Sequence, residues 1–361
     1  MKKQPWIHSA SFDLIWFHLP TIVVLLIIWL LPTSIIESTE MSPWFWLLFI
    51  AGIDVSHVYS TLFRTYFHSE QFVRNKQLFI LIPLICFVIA VFLYSLSSII
   101  FWRVLAYLAV FHFIRQQYGF LRIYSRKESL GKLNSIVDKM TIYSATLYPI
   151  VYWHLCGDRV FKWFVENDFV LFSNQHENIL GFIQLIYLAI ISTWLATTCF
   201  KLFKYKIFNI PKFIWITSTI LSWYFGIVYF NSDLVFTMLN VVAHGIPYMA
   251  LVWHYSGKEK PSVKFDILIW REGLNKSKSL VIFILILLFF GIIEEALWDS
   301  LVWQDHSIFF GFLYSNINLV NSREFQSLII PVLALPQMVH YVLDGFIWRV
   351  NKPNHLQFFK E

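Results

Sequence analysis

The chain has 361 residues, of which 58% are hydrophobic and only 14% are charged, and its mean hydropathy is +0.61. Globular proteins place about a quarter of their residues in charged types, so this composition excludes a soluble fold and indicates an integral membrane protein. The net charge of +6 would suggest nucleic acid in a soluble protein. Here, however, Lys and Arg stand in short runs between apolar segments, where they act as topology signals, and no nucleic-acid partner is expected.

A hydrocarbon core of about 30 Å needs roughly 20 apolar residues per helix. In chain order the candidate spans are residues 13–32, 43–64, 77–97, 99–120, 141–157, 178–200, 213–231, 233–254, 279–298 and 325–349. The expected fold class is therefore an all-α, polytopic transmembrane helix bundle of about ten spans. With no internal repeat, low-complexity run or Gly/Ser linker, residues 1–361 read as a single integral membrane domain. The opening stretch MKKQPWIHSASFDLIWFHLP has basic residues ahead of an apolar run but no A-x-A-like site, which predicts a retained first helix rather than a cleaved signal.

Placing both termini in the cytoplasm assigns 23 of the 28 Lys and Arg to the inner side. Only Arg103, Arg159, Lys162 and Arg323 fall outside, and Arg115 lies within a span. That asymmetry is the one the positive-inside rule requires, and it predicts a multi-pass protein of the cell inner membrane. Cys86, Cys156 and Cys199 have no CxxC spacing and read as small core residues, not as a disulfide or thiolate framework.

The stretch NVVAHGIPYMALVWHY, residues 240–255, places a histidine in the middle of an apolar span. It is not alone. His57 lies about 14 residues into the second span, His112 about 13 into the fourth, His244 about 11 into the eighth and His340 about 15 into the tenth, all entered from the outer side. At a rise of ~1.5 Å per residue they share a band roughly 16–23 Å from the outer surface, and His18 on the first span enters near the same level. Asp54 precedes His57 by three residues and Asp344 follows His340 by four, spacings that put each pair on one helix face. Asn240, His244 and Tyr248 form an i, i+4, i+8 stripe, and Arg115 and Gln116 stand one turn beyond His112.

Ionisable groups inside a membrane are costly unless they face a cavity or each other, so these faces are expected to meet in one polar pocket. Imidazoles with carboxylates behind them suit a metal, since ligating histidines pass their second N–H to such a partner. The ligand set read from the sequence is His57, His112, His244 and His340 with His18, Asp54 and Asp344. The metal is Fe(II), or alternatively Zn. Arg115, Gln116 and Tyr248 are the candidate catalytic residues, with Arg115 positioning substrate and Tyr66, Tyr118 and Tyr341 lining the pocket. Arg64 reads as a snorkelling residue, Glu294 and Glu295 as solvated, and His154 as structural. His8, His68, His176, His254, His306 and His355 are given no role.

The motifs D54-V-S-H57, His112, H244-G-I-P and H340-Y-V-L-D344 resemble those of bacterial Brp/Blh-type β-carotene dioxygenases. That resemblance implies non-haem iron held by four transmembrane histidines. The FDL, RQQYG and HYVLDGFIWR stretches also look like those of other bacterial multi-pass proteins, which implies no activity. The HxxxH and HxxHH clusters of di-iron desaturases are absent. The leading expectation is an inner-membrane oxidoreductase acting with O₂ on a lipophilic, carotenoid-like or lipid substrate. A lipid acyl or glycan transferase with a histidine base, and an ion- or proton-coupled transporter, are the competing classes. Lipophilic small molecules and membrane lipids are the expected partners, and self-association into a homo-oligomer stays open.

Overall fold

A computed structural model describes residues 4–38, 41–128, 131–157, 159–172, 177–256, 276–314 and 322–348. Among them there is no strand, and the protein is an all-α helical bundle. The long helices are α1 (Ala10–Ile28), α2 (Pro43–Arg64), α3 (Lys76–Leu96) and α4 (Ser98–Tyr124), then α5 (Lys132–Cys156) and α6 (Glu177–Tyr205). They continue with α7 (Ile210–Trp223, extended by a π-helical stretch Tyr224–Tyr229) and α8 (Asp233–Ser256). The last two are α9 (Ser277–Trp303) and α10 (Arg323–Ile347). Eight of these are long and apolar enough to cross a membrane, namely all except α5 and α7, so the chain is a multi-pass membrane protein.

The helices gather into two compact units, in a chain that the sequence reads as one domain. One is drawn from Met1–Glu40 with Ala109–Pro247 and the other from Met41–Leu108 with Tyr248–Leu356. Two of the boundaries, at 108/109 and 247/248, fall inside α4 and α8.

In the first unit α5 packs against α6 and α7, and α7 against α1. Lipid tails are as apolar as leucine, so burial alone cannot hold such helices together, and packing plus buried polar contacts must. Lys212 at the start of α7 supplies one of these, reaching Glu128 at 2.6 Å and Asp138 of α5 at 2.7 Å. Asp13 on α1 accepts from the backbone N–H of Ile7 at 2.6 Å and of His8 at 3.0 Å, which pins the N-terminal segment to its own helix.

In the second unit α9 packs on α2, and α10 on α3 and α2. The closest approach is at Gly291 of α9. A Cβ there would sit 2.5 Å from Ser56 Oγ and 2.7 Å from the Ala51 carbonyl oxygen, so only glycine admits this contact. α2 itself changes pitch, from a π-helical stretch at Leu47–Val55 through one α-helical turn at Ser56–Ser60 to a 3₁₀ turn at Thr61–Arg64. Ser56 Oγ bonds the Ala51 carbonyl at 2.8 Å, taking up a carbonyl beside the widened turns.

Burial differs sharply among the helices. In α8, 89% of the apolar stretch is buried, against 11% in α6, which exposes Phe182, Leu185 and Phe203. A stripe of that kind has lipid as its solvent.

Candidate metal centre

His112 on α4 and His244 on α8 belong to the first unit. Their Nε2 atoms stand 3.2 Å apart, with the rings nearly perpendicular. Pro247, three residues beyond His244, has no N–H to donate to the Ala243 carbonyl one turn earlier. The Gln116 side-chain amide donates to the adjacent His244 carbonyl at 2.9 Å. Gln116 thus holds the backbone that carries a site histidine. Phe113 stacks face to face on the His244 ring at 3.6 Å and 8°, which fixes its plane.

His57 on α2 and His340 on α10 belong to the second unit, with ring centroids 5.0 Å apart. Thr61, one turn after His57, places its Oγ1 2.6 Å from His340 Nδ1 and 3.1 Å from the Tyr248 hydroxyl. In the tautomer that donates Nδ1–H to the threonine oxygen, the lone pair of His340 lies on Nε2, the arrangement a metal ligand needs. The Tyr248 ring stands edge-on to both imidazoles, 5.9 Å from His57 and 5.1 Å from His340.

Four histidines meet. One ring nitrogen from each of His57, His112, His244 and His340 lies within 4.8 Å of the others, and all four residues are buried. Metal–nitrogen bonds of about 2.0–2.1 Å place neighbouring ligand nitrogens roughly 3 Å apart, and the His112–His244 distance of 3.2 Å meets that requirement. These four buried histidines can hold a metal ion.

Three residues expected as ligands are not part of the group. Asp54 Oδ1 lies 3.6 Å from His57 Nδ1, too long for a strong hydrogen bond. Asp344 is buried on α10, one turn beyond His340, but contributes no atom to the group of four. His18 is wholly buried elsewhere, stacked 5.5 Å from Tyr124 and edge-on to Trp215, because equal depth does not make equal azimuth on the helix.

Arg115, expected to position substrate, is exposed. It donates to the Tyr143 hydroxyl at 2.8 Å, with its guanidinium 5.3 Å from the Tyr118 ring. Tyr66 donates to the Phe79 carbonyl at 2.7 Å. Arg64 is buried against the Trp348 face and does not snorkel. Glu294 and Glu295 are also buried rather than solvated, with Glu294 receiving the Tyr59 hydroxyl at 2.6 Å. His154 bonds the Ile150 carbonyl of its own helix at 2.7 Å. Of the three cysteines, Cys86 is buried and Cys156 and Cys199 are partly exposed. His176 and His355 lie outside the described residues.

Thr61 and Phe113 escape a reading by residue type, since neither titrates. A signal existed for Thr61, which stands at i+4 from His57 and so on the same helix face.

The arrangement defines a polytopic helical membrane protein with a buried four-histidine group. No family model, no curated protein and no solved structure matches the chain.

Proposed function

We propose that this protein is an inner-membrane metalloenzyme of the non-haem iron type, acting with O₂ on a lipophilic substrate. The observation that carries this reading is the convergence of four buried imidazole nitrogens within 4.8 Å. Isolated polar side chains at membrane depth are explained by helix pairing, but four on separate helices converging on one point call for a shared ligand.

Imidazole donors suit Fe, Zn, Cu and Ni. Four neutral ligands leave positions open on an octahedral ion, which favours iron over a closed tetrahedral zinc. Iron held this way would supply activation of O₂ against an apolar molecule that arrives through the lipid phase.

The chain's own residues then have separate tasks. His57, His112, His244 and His340 bind the ion. Thr61 orients His340, while Phe113 and Gln116 hold His244 in place. A dication in a low-dielectric site needs compensating charge, and Asp54, whose Oδ1 lies 3.6 Å from His57 Nδ1, is the carboxyl placed to supply it. Tyr248, edge-on to two of the rings, is the side chain closest to hand for shaping the space where substrate sits.

Elemental analysis of the detergent-purified protein tests the reading. One iron per chain is expected, lost in both His57→Ala and His244→Ala. A metal-free preparation, or iron that survives both substitutions, overturns it. Stoichiometric zinc in place of iron would move the proposal from oxygenation to hydrolysis.

A further inference from the structure

Away from the histidines, a second feature lies where the C-terminal end of α4 meets the N-terminal end of α5, on the side that the charge distribution assigns to the cytoplasm. The helices leave a cavity of about 220 Å³ there. This is far above the roughly 10–15 Å³ that a single water needs. Its walls carry Arg122 from α4, Arg126 just beyond its end and Lys139 from α5, together with Glu128 and Asp138. The two acids are already engaged by one ammonium, since Lys212 Nζ bonds both. The walls are therefore positive on balance.

Asp138 gives the cavity a second character. Its Oδ2 is held by Lys212, but Oδ1 is buried with no hydrogen-bond partner, in a residue only 4% exposed. A buried carboxylate oxygen without a donor is costly, so it calls for a group bearing N–H or O–H. Arg126 spends its guanidinium on the carbonyls of Pro5, Trp6 and Ile123, which leaves Arg122 and Lys139, both exposed, as the cations that can face an anion in the cavity. Beside Lys139, α5 turns Leu133, Ile136 and Met140 outward, at 73%, 50% and 49% exposure, so an apolar track begins at the cavity rim. Tyr118 extends the polar lining up α4 to the Arg115–Tyr143 pair.

We propose that this cavity is a headgroup site for a membrane phospholipid whose phosphodiester carries a hydrogen-bond donor, of the ethanolamine or glycerol type. The phosphate sits between Arg122 and Lys139, the amine or hydroxyl meets Asp138 Oδ1, and the acyl chains follow Leu133, Ile136 and Met140. Basic pockets between transmembrane helices on the cytoplasmic side recognise lipid headgroups by this chemistry. The site is independent of the histidine centre and of any metal in it.

The test is equilibrium binding to the detergent-purified full-length chain, with four probes: dihexanoyl phosphatidylethanolamine, dihexanoyl phosphatidylglycerol, dihexanoyl phosphatidylcholine and inorganic phosphate. The ethanolamine and glycerol lipids should bind about tenfold more tightly than the choline lipid, whose quaternary ammonium offers Asp138 no N–H. Arg122→Gln with Lys139→Gln should weaken that binding by about tenfold or more while leaving thermal unfolding unchanged, because both side chains are exposed. Inorganic phosphate bound as tightly as the lipids would make this a free-anion site and overturn the proposal. Equal affinity for choline and ethanolamine lipids, or a double variant that binds like the parent, overturns it as well.

Discussion

Replacing Thr61 by valine removes one hydroxyl and keeps the side-chain shape. That hydroxyl lies 2.6 Å from His340 Nδ1 and 3.1 Å from the Tyr248 hydroxyl, in a residue only 4% exposed. The substitution therefore deprives the buried His340 Nδ1 of this hydrogen-bond partner, and in the metal-binding tautomer that partner is the acceptor of its N–H. Such a loss costs about 1–3 kcal/mol. Expressed as binding, this agrees with the roughly 10–100-fold that the outer partners of ligating histidines contribute to metal affinity. Iron affinity measured by competition with a chelator should fall by that factor in Thr61→Val. It should stay near the parent value in Thr61→Ser, which restores the oxygen. Circular dichroism and thermal unfolding establish that both variants are folded. If folded Thr61→Val holds iron as tightly as the parent, the orientation of His340 does not depend on Thr61, and the assignment of Nε2 as its ligand atom fails.

Gly291→Ala would drive a Cβ into Ser56 Oγ and the Ala51 carbonyl, next to His57, and overpacking of that kind costs about 1–3 kcal/mol. Lower thermal stability and reduced iron per chain should appear together, and a variant unchanged in both would show that α2 yields freely. Lys212→Met strands the Glu128 and Asp138 carboxylates without their cation, which should destabilise the protein by about 3–5 kcal/mol in denaturant unfolding. Adding Glu128→Gln and Asp138→Asn should recover much of that loss, and no recovery would argue against the ion pairs as its cause. His306 stacks on Trp46 at 3.6 Å, and burial pushes its imidazole below the ordinary value of 6.5, with Asp299 and Asp305 offsetting part of the shift. A depressed histidine leaves the unfolded chain binding more protons, so its contribution to stability is present above pH 6.5 and lost as the pH falls below it. Unfolding temperatures between pH 5 and 7.5 should decline less steeply in His306→Gln, and superimposable slopes would refute this account.

Much of the centre can be read along the chain because membrane depth is nearly a linear function of residue number. A rise of ~1.5 Å per residue was enough to put His57, His112, His244 and His340 at one level, and these four do come together. Local spacing was also informative: Asp54, three residues before His57, does lie beside it. The misplacements share a cause, since depth is one coordinate and a site needs three. His18 passes the depth criterion yet turns to Tyr124 and Trp215. Asp344 shares a helix face with His340, yet only the imidazole of that pair belongs to the group of four. Glu294 stands near the end of a span, where water is the default partner, and only tertiary packing brings the Tyr59 hydroxyl to it.

Composition and the periodic return of apolar segments were enough to determine a helical membrane protein, because the bilayer admits no other use of such a sequence. Which faces of the helices meet was decided by the tertiary structure alone. The π-helical stretch Leu47–Val55 in α2 shifts the angular phase of His57 and Thr61 relative to the start of the span in a way that counting at 100° per residue does not reproduce. Pro247, with Gln116 on the neighbouring helix, sets the backbone at His244. Helix rotation in a membrane follows side-chain packing rather than an apolar stripe along one side, since lipid rewards no single face, and packing is a property of the assembled bundle.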